Sequence, residues 1–441
     1  MGQSAERLMA FLSSFRKPFE GNKKSLFSKA QWVVQGILSA PRKNLQVIAQ
    51  SLGKSDHQAL NHFLSDSIWN WTAVSDQVAI RFYKLIERLN AVANLCLIID
   101  ESGMPKKGDQ SAGVTRQYCG ASGKIDNCQV GVFAALSCGA LVSIVKAVLY
   151  LPKSWIDDKK RLDKVTVPSE CRSYKSKIDI ALELIIDIKR RLKIPFQWVV
   201  FDAFYGRDLG LLRELHRLSI TFMAQIPESH HVFLNDFDLK IPQSKSKRGR
   251  PFTKLKPTRT SLSVTQYVKR LKASDWKKLT VRTSSTGVLR AYFHRLPVWL
   301  FDEQAVKKCK FTLLIRKEVK GDISFHLTNS TAHLQRLAYM QAQRYFVERA
   351  FRDAKQELGM DQYQVRGYAA WHRHMALVMM AQLFIQQEKV LIHRKQLTIS
   401  SQDIVKIITL LLLPQKNLED LIQQISIKNK SLFTKIRDLT M

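Results

Sequence analysis

The chain has 441 residues, 70 of them Lys or Arg against 37 Asp or Glu, for a formal net charge of +33, with 45% hydrophobic and 9% aromatic residues. A chain this apolar buries a large core and by length forms two or three domains, so a disordered basic tail is excluded. The charge excludes an ordinary metabolic enzyme and calls for a polyanionic partner, nucleic acid or an acidic membrane surface. No apolar run approaches the roughly 20 residues that span a bilayer. The N-terminus has no secretory pattern, and the six cysteines form no Cys-x-x-Cys pair, which points to a reducing cytosol rather than a disulfide framework or zinc site.

Residues 1–90 read as helical. Pro41 stands where a helix can start and Gly53 where it can end, and Ser55-x-x-Gln58 forms a capping box for the next helix. Two short helices meeting at Gly53-Lys54 make either a helix-turn-helix, with His57, Gln58 and Asn61 available on the second, or an αα-hairpin within a bundle. From residue 94 the pattern changes. Asn94–Ile99 is an apolar run ending in Asp100, read as a buried strand, and a loop from Ser102 to Asn127 follows. Gln129–Ser137 and Leu141–Leu151 flank Cys138-Gly139-Ala140 as a β-hairpin, and Ile178–Leu192 has helical spacing. Phe196–Phe201 is a second apolar strand ending in an acid, Asp202; a helix over Asp208–Leu218 and a strand over Ile220–Ile226 complete an α/β pattern with a covered sheet.

Residues 227–330 differ in charge, with 22 basic residues against 8 acidic, a net +14. Eleven basic residues and no acid lie between Lys240 and Lys272. Strand-like pieces at Lys278–Thr283, Val288–His294, Lys310–Ile315 and Ile323–Leu327 suggest a small β-rich insertion, after which the chain reads helical through Gln343–Leu358, Ala369–Glu388 and a C-terminal tail. Within the basic stretch, Lys245, Lys247, Arg248, Arg250, Lys254 and Lys256 are the candidate DNA contacts. Arg248-Gly249-Arg250-Pro251 resembles an AT-hook core for a narrow minor groove, and a basic loop tracking phosphates is the plainer reading.

Two constellations carry chemistry. Asp100 and Asp202 at the ends of buried strands project into the crevice where open α/β sheets place their sites. Two such carboxylates repel unless a divalent cation lies between them, and an all-oxygen set suits Mg²⁺; each can also simply begin a turn. On a helix, Arg344, Glu348 and Lys355 fall within roughly 40° of one another at about 100° per residue, beside an apolar stripe of Val347, Phe351, Ala354 and Leu358. The plainer reading is a ladder of ion pairs, Arg344–Glu348 and Glu348–Arg352. His372 and His374 diverge on a helix, so a metal role is not expected of them.

Asp100 after its strand, Asp202 in Val-Val-Phe-Asp-Ala-Phe-Tyr-Gly, and Arg344-x3-Glu348-x6-Lys355 together resemble the DDE transposases of bacterial insertion sequences. The match is to the group marked by Tyr-x2-Arg-x3-Glu-x6-Lys. The segment Gly113-Val-Thr-Arg-Gln-Tyr-Cys-Gly-Ala-Ser-Gly-Lys-Ile-Asp-Asn-Cys-Gln129 is similar to one subgroup, and Gln341 stands where the signature has Tyr.

The resemblance implies an RNase H-like catalytic domain interrupted by a β-rich insertion. A helical DNA-binding region would occupy residues 1–90, the first part of the core 91–226, the insertion 227–330, the second part with the Glu helix 331–390, and a helical tail 391–441. The 146-position interval from Asp202 to Glu348 leaves room for the insertion. It further implies two Mg²⁺ ions, with Mn²⁺ able to substitute. Asp100 would bridge them, with Asp202 and Glu348 completing one site each and Arg344 and Lys355 holding the adjacent phosphate. The implied activity is cleavage at the ends of an element and joining of the 3′-OH to target DNA. Its partners would be double-stranded DNA and a second copy in a synaptic complex, in a bacterial cytoplasm at the nucleoid and away from membranes. The alternatives are a transposase-derived DNA-binding protein without strand transfer and a nuclease of the same fold.

Overall fold

The computed structural model describes residues 2–21, 25–54, 56–242, 253–284, 287–393 and 400–412. Its ten-stranded sheet contains β1 (Cys96–Pro105), β2 (Thr115–Cys119), β3 (Lys124–Cys138), β4 (Leu141–Leu149), β5 (Trp198–Phe201), β6 (Phe222–Ile226), β7 (Lys277–Ser284), β8 (Gly287–Asp302), β9 (Lys307–Glu318) and β10 (Ile323–Thr328). The order is β7-β8-β9-β10-β6-β5-β1-β3-β2, with β4 also on β3. β1, β5 and β6 are mutually parallel and β3 is antiparallel to β1. The parallel trio is buried throughout over Cys96–Ile99 and Trp198–Phe201, as strands covered on both faces must be.

The α-helices of seven residues or more among the described residues are α1 (Gly2–Ser13), α2 (Phe27–Ser39), α3 (Leu45–Ser51), α4 (His57–Ser65), α5 (Trp71–Arg88), α6 (Lys177–Ile186), α7 (Leu209–Arg217), α8 (Leu334–Ala342), α9 (Tyr345–Gln356), α10 (Tyr368–His393) and α11 (Ser401–Leu412). The N-terminal helical hairpin forms with different caps from those expected. α3 starts at Leu45, where the Asn44 side chain accepts from Val47 N, and Pro41 lies outside it. α4 is capped by Asp56, which accepts from Ala59 N, while Ser55 lies outside the described residues.

Two further expectations are corrected. β1 does not stop at Asp100 but continues to Pro105, because β3 supplies an antiparallel partner for every residue of that extension. The segment expected as a loop therefore contains β2 and the start of β3. The β-rich block is continuous with the sheet. β10 pairs with β6 (Phe325 with Ile226, Thr328 with Met223), so β7–β10 carry the same sheet onward past the parallel strands.

α10 is the strut of the molecule, and its Tyr368–Ile392 stretch is long and apolar enough to cross a membrane, contrary to the sequence reading. Most of it is instead buried in protein, against β4, α2, α4, α5 and α11. Several of its polar side chains meet partners from the fold. Gln382 accepts from Ile144 N of β4 (2.8 Å) and donates to Ala350 O of α9 (3.0 Å). Arg373 donates to Leu64 O and Ser65 O, and Glu388 takes Arg7 in a two-pronged ion pair (2.7 Å each). A helix hydrophobic on all sides is what a central position requires. By this strut α9 is fixed over the sheet.

Between β5 and α7 the chain makes a single helical turn, Ala203–Gly206, that lies hard against β6: a Cβ on Gly206 would stand 1.8 Å from the Gln225 carbonyl oxygen. Neither backbone can yield without moving β5 or β6. Gly206→Ala is therefore expected to lower stability by about 1–3 kcal/mol or more, as overpacking does. Urea denaturation checks it; an unchanged midpoint would show that the turn is not clamped to the strand.

Candidate active site

The two aspartates are brought together by strand register. Ile98 pairs with Val200 in the parallel ladder of β1 and β5, so two residues further on Asp100 and Asp202 stand level. Asp202 leaves the sheet and caps the turn that follows, its Oδ1 accepting from Phe204 N (3.0 Å) and Tyr205 N (3.4 Å). Asp100 remains in the sheet, and its Oδ1 accepts from Glu101 N (2.8 Å).

Burial pushes the Asp100 carboxyl up to about 7. The Arg344 guanidinium opposes the shift, the negative charges of Asp202 and Glu101 add to it, and the Glu101 N–H works against it. This is the signature of a carboxyl kept from water beside like charge, without enough positive charge to hold it ionised.

Arg344 precedes α9 and reaches toward Asp100, and its Nη1 donates to Glu348 Oε1 (2.8 Å). Its Nε is buried without a hydrogen-bond partner among the described residues. The expected Arg344–Glu348 ion pair thus forms, with the Glu348 side chain half exposed at 51%. Among the described residues no three His, Cys, Asp or Glu side chains are grouped closely enough to hold one ion. The structure therefore unites Asp100, Asp202 and Arg344, and leaves Glu348 turned to Arg344.

Lys355 departs from its expected face. Its Nζ donates to the Gly103 carbonyl (3.2 Å), on the part of β1 beyond Asp100, and burial lowers its pKa. Gln341, where the resembled signature has Tyr, accepts from Arg316 Nη1 (2.8 Å), and Arg316 also pairs with Glu318 (2.6 Å). Of the basic candidates, Lys245, Lys247, Arg248 and Arg250 lie outside the described residues. Lys254 and Lys256 are exposed, Lys256 in a two-residue strand against Lys240. His372 is buried, facing Tyr368 O (2.9 Å) and Leu149 N (3.3 Å), and His374 is buried near Gly359 O (3.2 Å).

Four neighbours of the site were not singled out from the sequence. Glu101, next to Asp100, is paired with Lys177 at the start of α6 (2.7 Å). The Tyr205 hydroxyl is buried without a partner among the described residues, and burial, then Glu101, Asp100 and Asp202, keep it protonated. Its position in Asp-Ala-Phe-Tyr-Gly, three residues after an acid on a tight turn, was the available signal. His326 on β10 is buried, its pKa lowered to about 3 by burial and by the Arg316 and Arg344 charges.

A family model described as DDE superfamily endonuclease matches residues 22–288, a span that includes Asp100 and Asp202 and ends before Arg344. The chain is 29% identical over 198 residues to a protein of Microchaete diplosiphon named probable transposase for insertion sequence element IS701; the alignment covers 44% of this chain and 47% of that one. The chain therefore spans about half the length of that relative. Among solved structures, a cryo-EM structure of the piggyBac transposase synaptic complex with hairpin DNA aligns at a TM-score of 0.39 and 9% identity, covering 94% of this chain and 77% of that one. The NurA nuclease from Sulfolobus solfataricus aligns at 0.24 and 8% identity, covering 71% and 94%.

The Asp100 shift has a consequence for stability. An unfolded aspartate titrates near ~3.9, so the folded state binds the extra proton between that value and about 7. The cost of ionising Asp100 is thus absent at the acid end, grows as pH rises through the interval, and is complete above it. In metal-free buffer at pH ~8, Asp100→Asn is expected to stabilise the fold by on the order of 4 kcal/mol, an advantage that disappears toward pH ~4. Thermal melts at the two pH values test this; an equal difference at both would refute the buried-carboxyl account.

Proposed function

The chain belongs to the DDE superfamily endonucleases, and from that premise we propose that it is an insertion-sequence transposase that cuts DNA at the ends of an element and joins the freed 3′-OH to target DNA. The observation that carries the reading is the pair of level carboxylates, Asp100 and Asp202, with Asp100 held near neutral pKa by burial. Such a pair fits a divalent cation. Its donors are all oxygen, which favours Mg²⁺, with Mn²⁺ as substitute. The strand order β4-β3-β1-β5-β6, with β3 antiparallel to three parallel neighbours, supports an RNase H-like catalytic core running from 91–226 into 331–390. Residues 227–330 then form the insertion, 1–90 a DNA-binding region and 391–441 a tail.

Asp100, Asp202 and Glu348 would hold two Mg²⁺ ions. Such ions would supply activation of a water or 3′-OH and stabilisation of the leaving oxygen. The work of the chain is to hold these groups in place. Asp202 keeps its Oδ1 on the turn amides, which fixes its carboxylate direction. Glu348 joins by releasing Arg344, a rotamer change open to a half-exposed side chain. Arg344, so freed, presents a fork to the phosphate next to the cleaved bond, and the Lys355 charge lies further along β1. No side chain serves as a covalent nucleophile. Double-stranded DNA is the substrate, and two copies would bring two element ends together.

The test is a reaction of the purified protein with Mg²⁺, DNA carrying the ends of the element that encodes it, and a target plasmid. Cleavage followed by joining is expected, with Mn²⁺ supporting both. Asp100→Ala, Asp202→Ala and Glu348→Ala should each lower the rate by roughly a thousandfold, the equivalent of several kcal/mol of lost charge stabilisation. Nicking without joining would make the protein a nuclease of the same fold, and full activity of Asp100→Ala would remove the site assignment.

A further inference from the structure

The hairpin of β2 and β3 holds the segment Gly113–Gln129, which the proposed chemistry leaves unused. Its register ties it to the site. Asp100 pairs with Phe133, Ser102 with Gly131 and Met104 with Gln129. Without a break, β3 continues with Asn127 opposite Arg116 and Ile125 opposite Tyr118. Paired residues of antiparallel strands share a face, and faces alternate along a strand. Arg116, Tyr118 and Ile125 therefore lie on the face that carries Asp100.

That face is covered near the site and bare at the hairpin. Phe351 of α9 packs edge-on to Phe133 (5.2 Å), and the Tyr363 hydroxyl donates to Gln129 (2.7 Å). Beyond them Tyr118 is 58% and Ile125 62% exposed, directly across from each other. Arg116 beside them is also exposed, and no acid occupies the hairpin's share of this face, since Asp126 falls on the other. The opposite face is packed, with Cys119, Cys128 and Val130 fully buried and the Cys119 sulfur so close to Gly103 that a Cβ there would stand 2.7 Å away. Asn127 Nδ2 donates to the Lys106 and Gly108 carbonyls (2.8 and 2.9 Å), holding the base of the hairpin. An aromatic and an aliphatic side chain are thus presented to solvent on a fixed support, next to a cation.

We propose that this face is a docking surface for duplex DNA, on which Tyr118 and Ile125 pack against an opened base step and Arg116 holds the neighbouring phosphate. The proposal rests on the DNA-cutting reading of the site above. Charge selects the partner, because a cation on a face without acids suits a polyanion. The apolar pair selects the contact, because large apolar side chains reach DNA by wedging into or stacking on exposed bases rather than by touching phosphates. Ile125 lies eight residues along β3 from the partner of Asp100. At about 3.3 Å per residue that is at most ~26 Å, or ~8 base pairs of duplex from the scissile phosphate.

The experiment measures binding of labelled duplex DNA, fully paired or with a central mismatch, by fluorescence anisotropy in EDTA so that nothing is cut. The intact protein should bind the mismatched duplex about tenfold more tightly. Tyr118→Ala combined with Ile125→Ala should abolish that preference while leaving affinity for the paired duplex within about twofold, and Tyr118→Trp should keep it. Arg116→Ala should weaken both complexes alike. A preference that survives in the double variant, or is lacking in the intact protein, overturns the proposal while leaving the cleavage reading in place. So does a double variant that has instead lost self-association in sedimentation, which would assign the face to a second copy. If the intact protein binds neither duplex, the DNA-cutting reading fails together with this one.

Discussion

The site depends on the register between β1 and β5. Parallel pairing of Cys96–Ile98 with Trp198–Val200 brings two carboxylates level just where the shorter strand ends. Burial raises the Asp100 carboxyl to near neutrality, with the Arg344 charge opposing the rise and the Asp202 charge adding to it. The surroundings make that arrangement permanent. The turn after Asp202 is clamped to β6 through Gly206, and α9 is fixed to β4 through Gln382 of α10. A site so held can be completed by a cation or by a proton, and which of the two it holds sets its electrostatics.

Both aspartates were legible in the sequence because an apolar run that ends in an acid has few interpretations, and the register makes the two runs neighbours. The continuation of β1 was not legible. Glu101-Ser-Gly-Met-Pro105 is polar and contains Gly and Pro, the composition of a loop, and it becomes strand only because β3 offers a partner far along the chain. The joining of the basic block to the central sheet was hidden for the same reason, since the pairing of β10 with β6 links residues about a hundred positions apart. Periodicity placed Glu348 on the helix of Arg344 and Lys355 but could not tell which group each side chain meets. Glu348 meets Arg344, while Lys355 reaches back to Gly103. α10 was misjudged as to membrane-length apolarity because its stripe of core residues is broken by His372, Arg373, His374 and Gln382, polar groups that find their partners only in the folded molecule.

Charge is organised on two scales. The overall +33 gives affinity for a polyanion and sensitivity to salt. Local charge is what the site uses. Arg344 lies between Asp100 and Glu348, bonded to the second while lowering the energy of the first, so one guanidinium couples the two carboxylates. Gln341 belongs to this layer as well, because its carbonyl holds Arg316, and burial together with the Arg316 and Arg344 charges keeps His326 neutral.

The most direct test of the central claim, that Asp100 and Asp202 form an unfinished cation site, is anomalous scattering from crystals grown with Mn²⁺. The account predicts manganese bound by an oxygen of each of the two carboxylates, with Glu348 swung away from Arg344 toward Asp100. A saturated crystal with manganese only elsewhere, and Asp100 still bonded to nothing but the Glu101 amide, would contradict it.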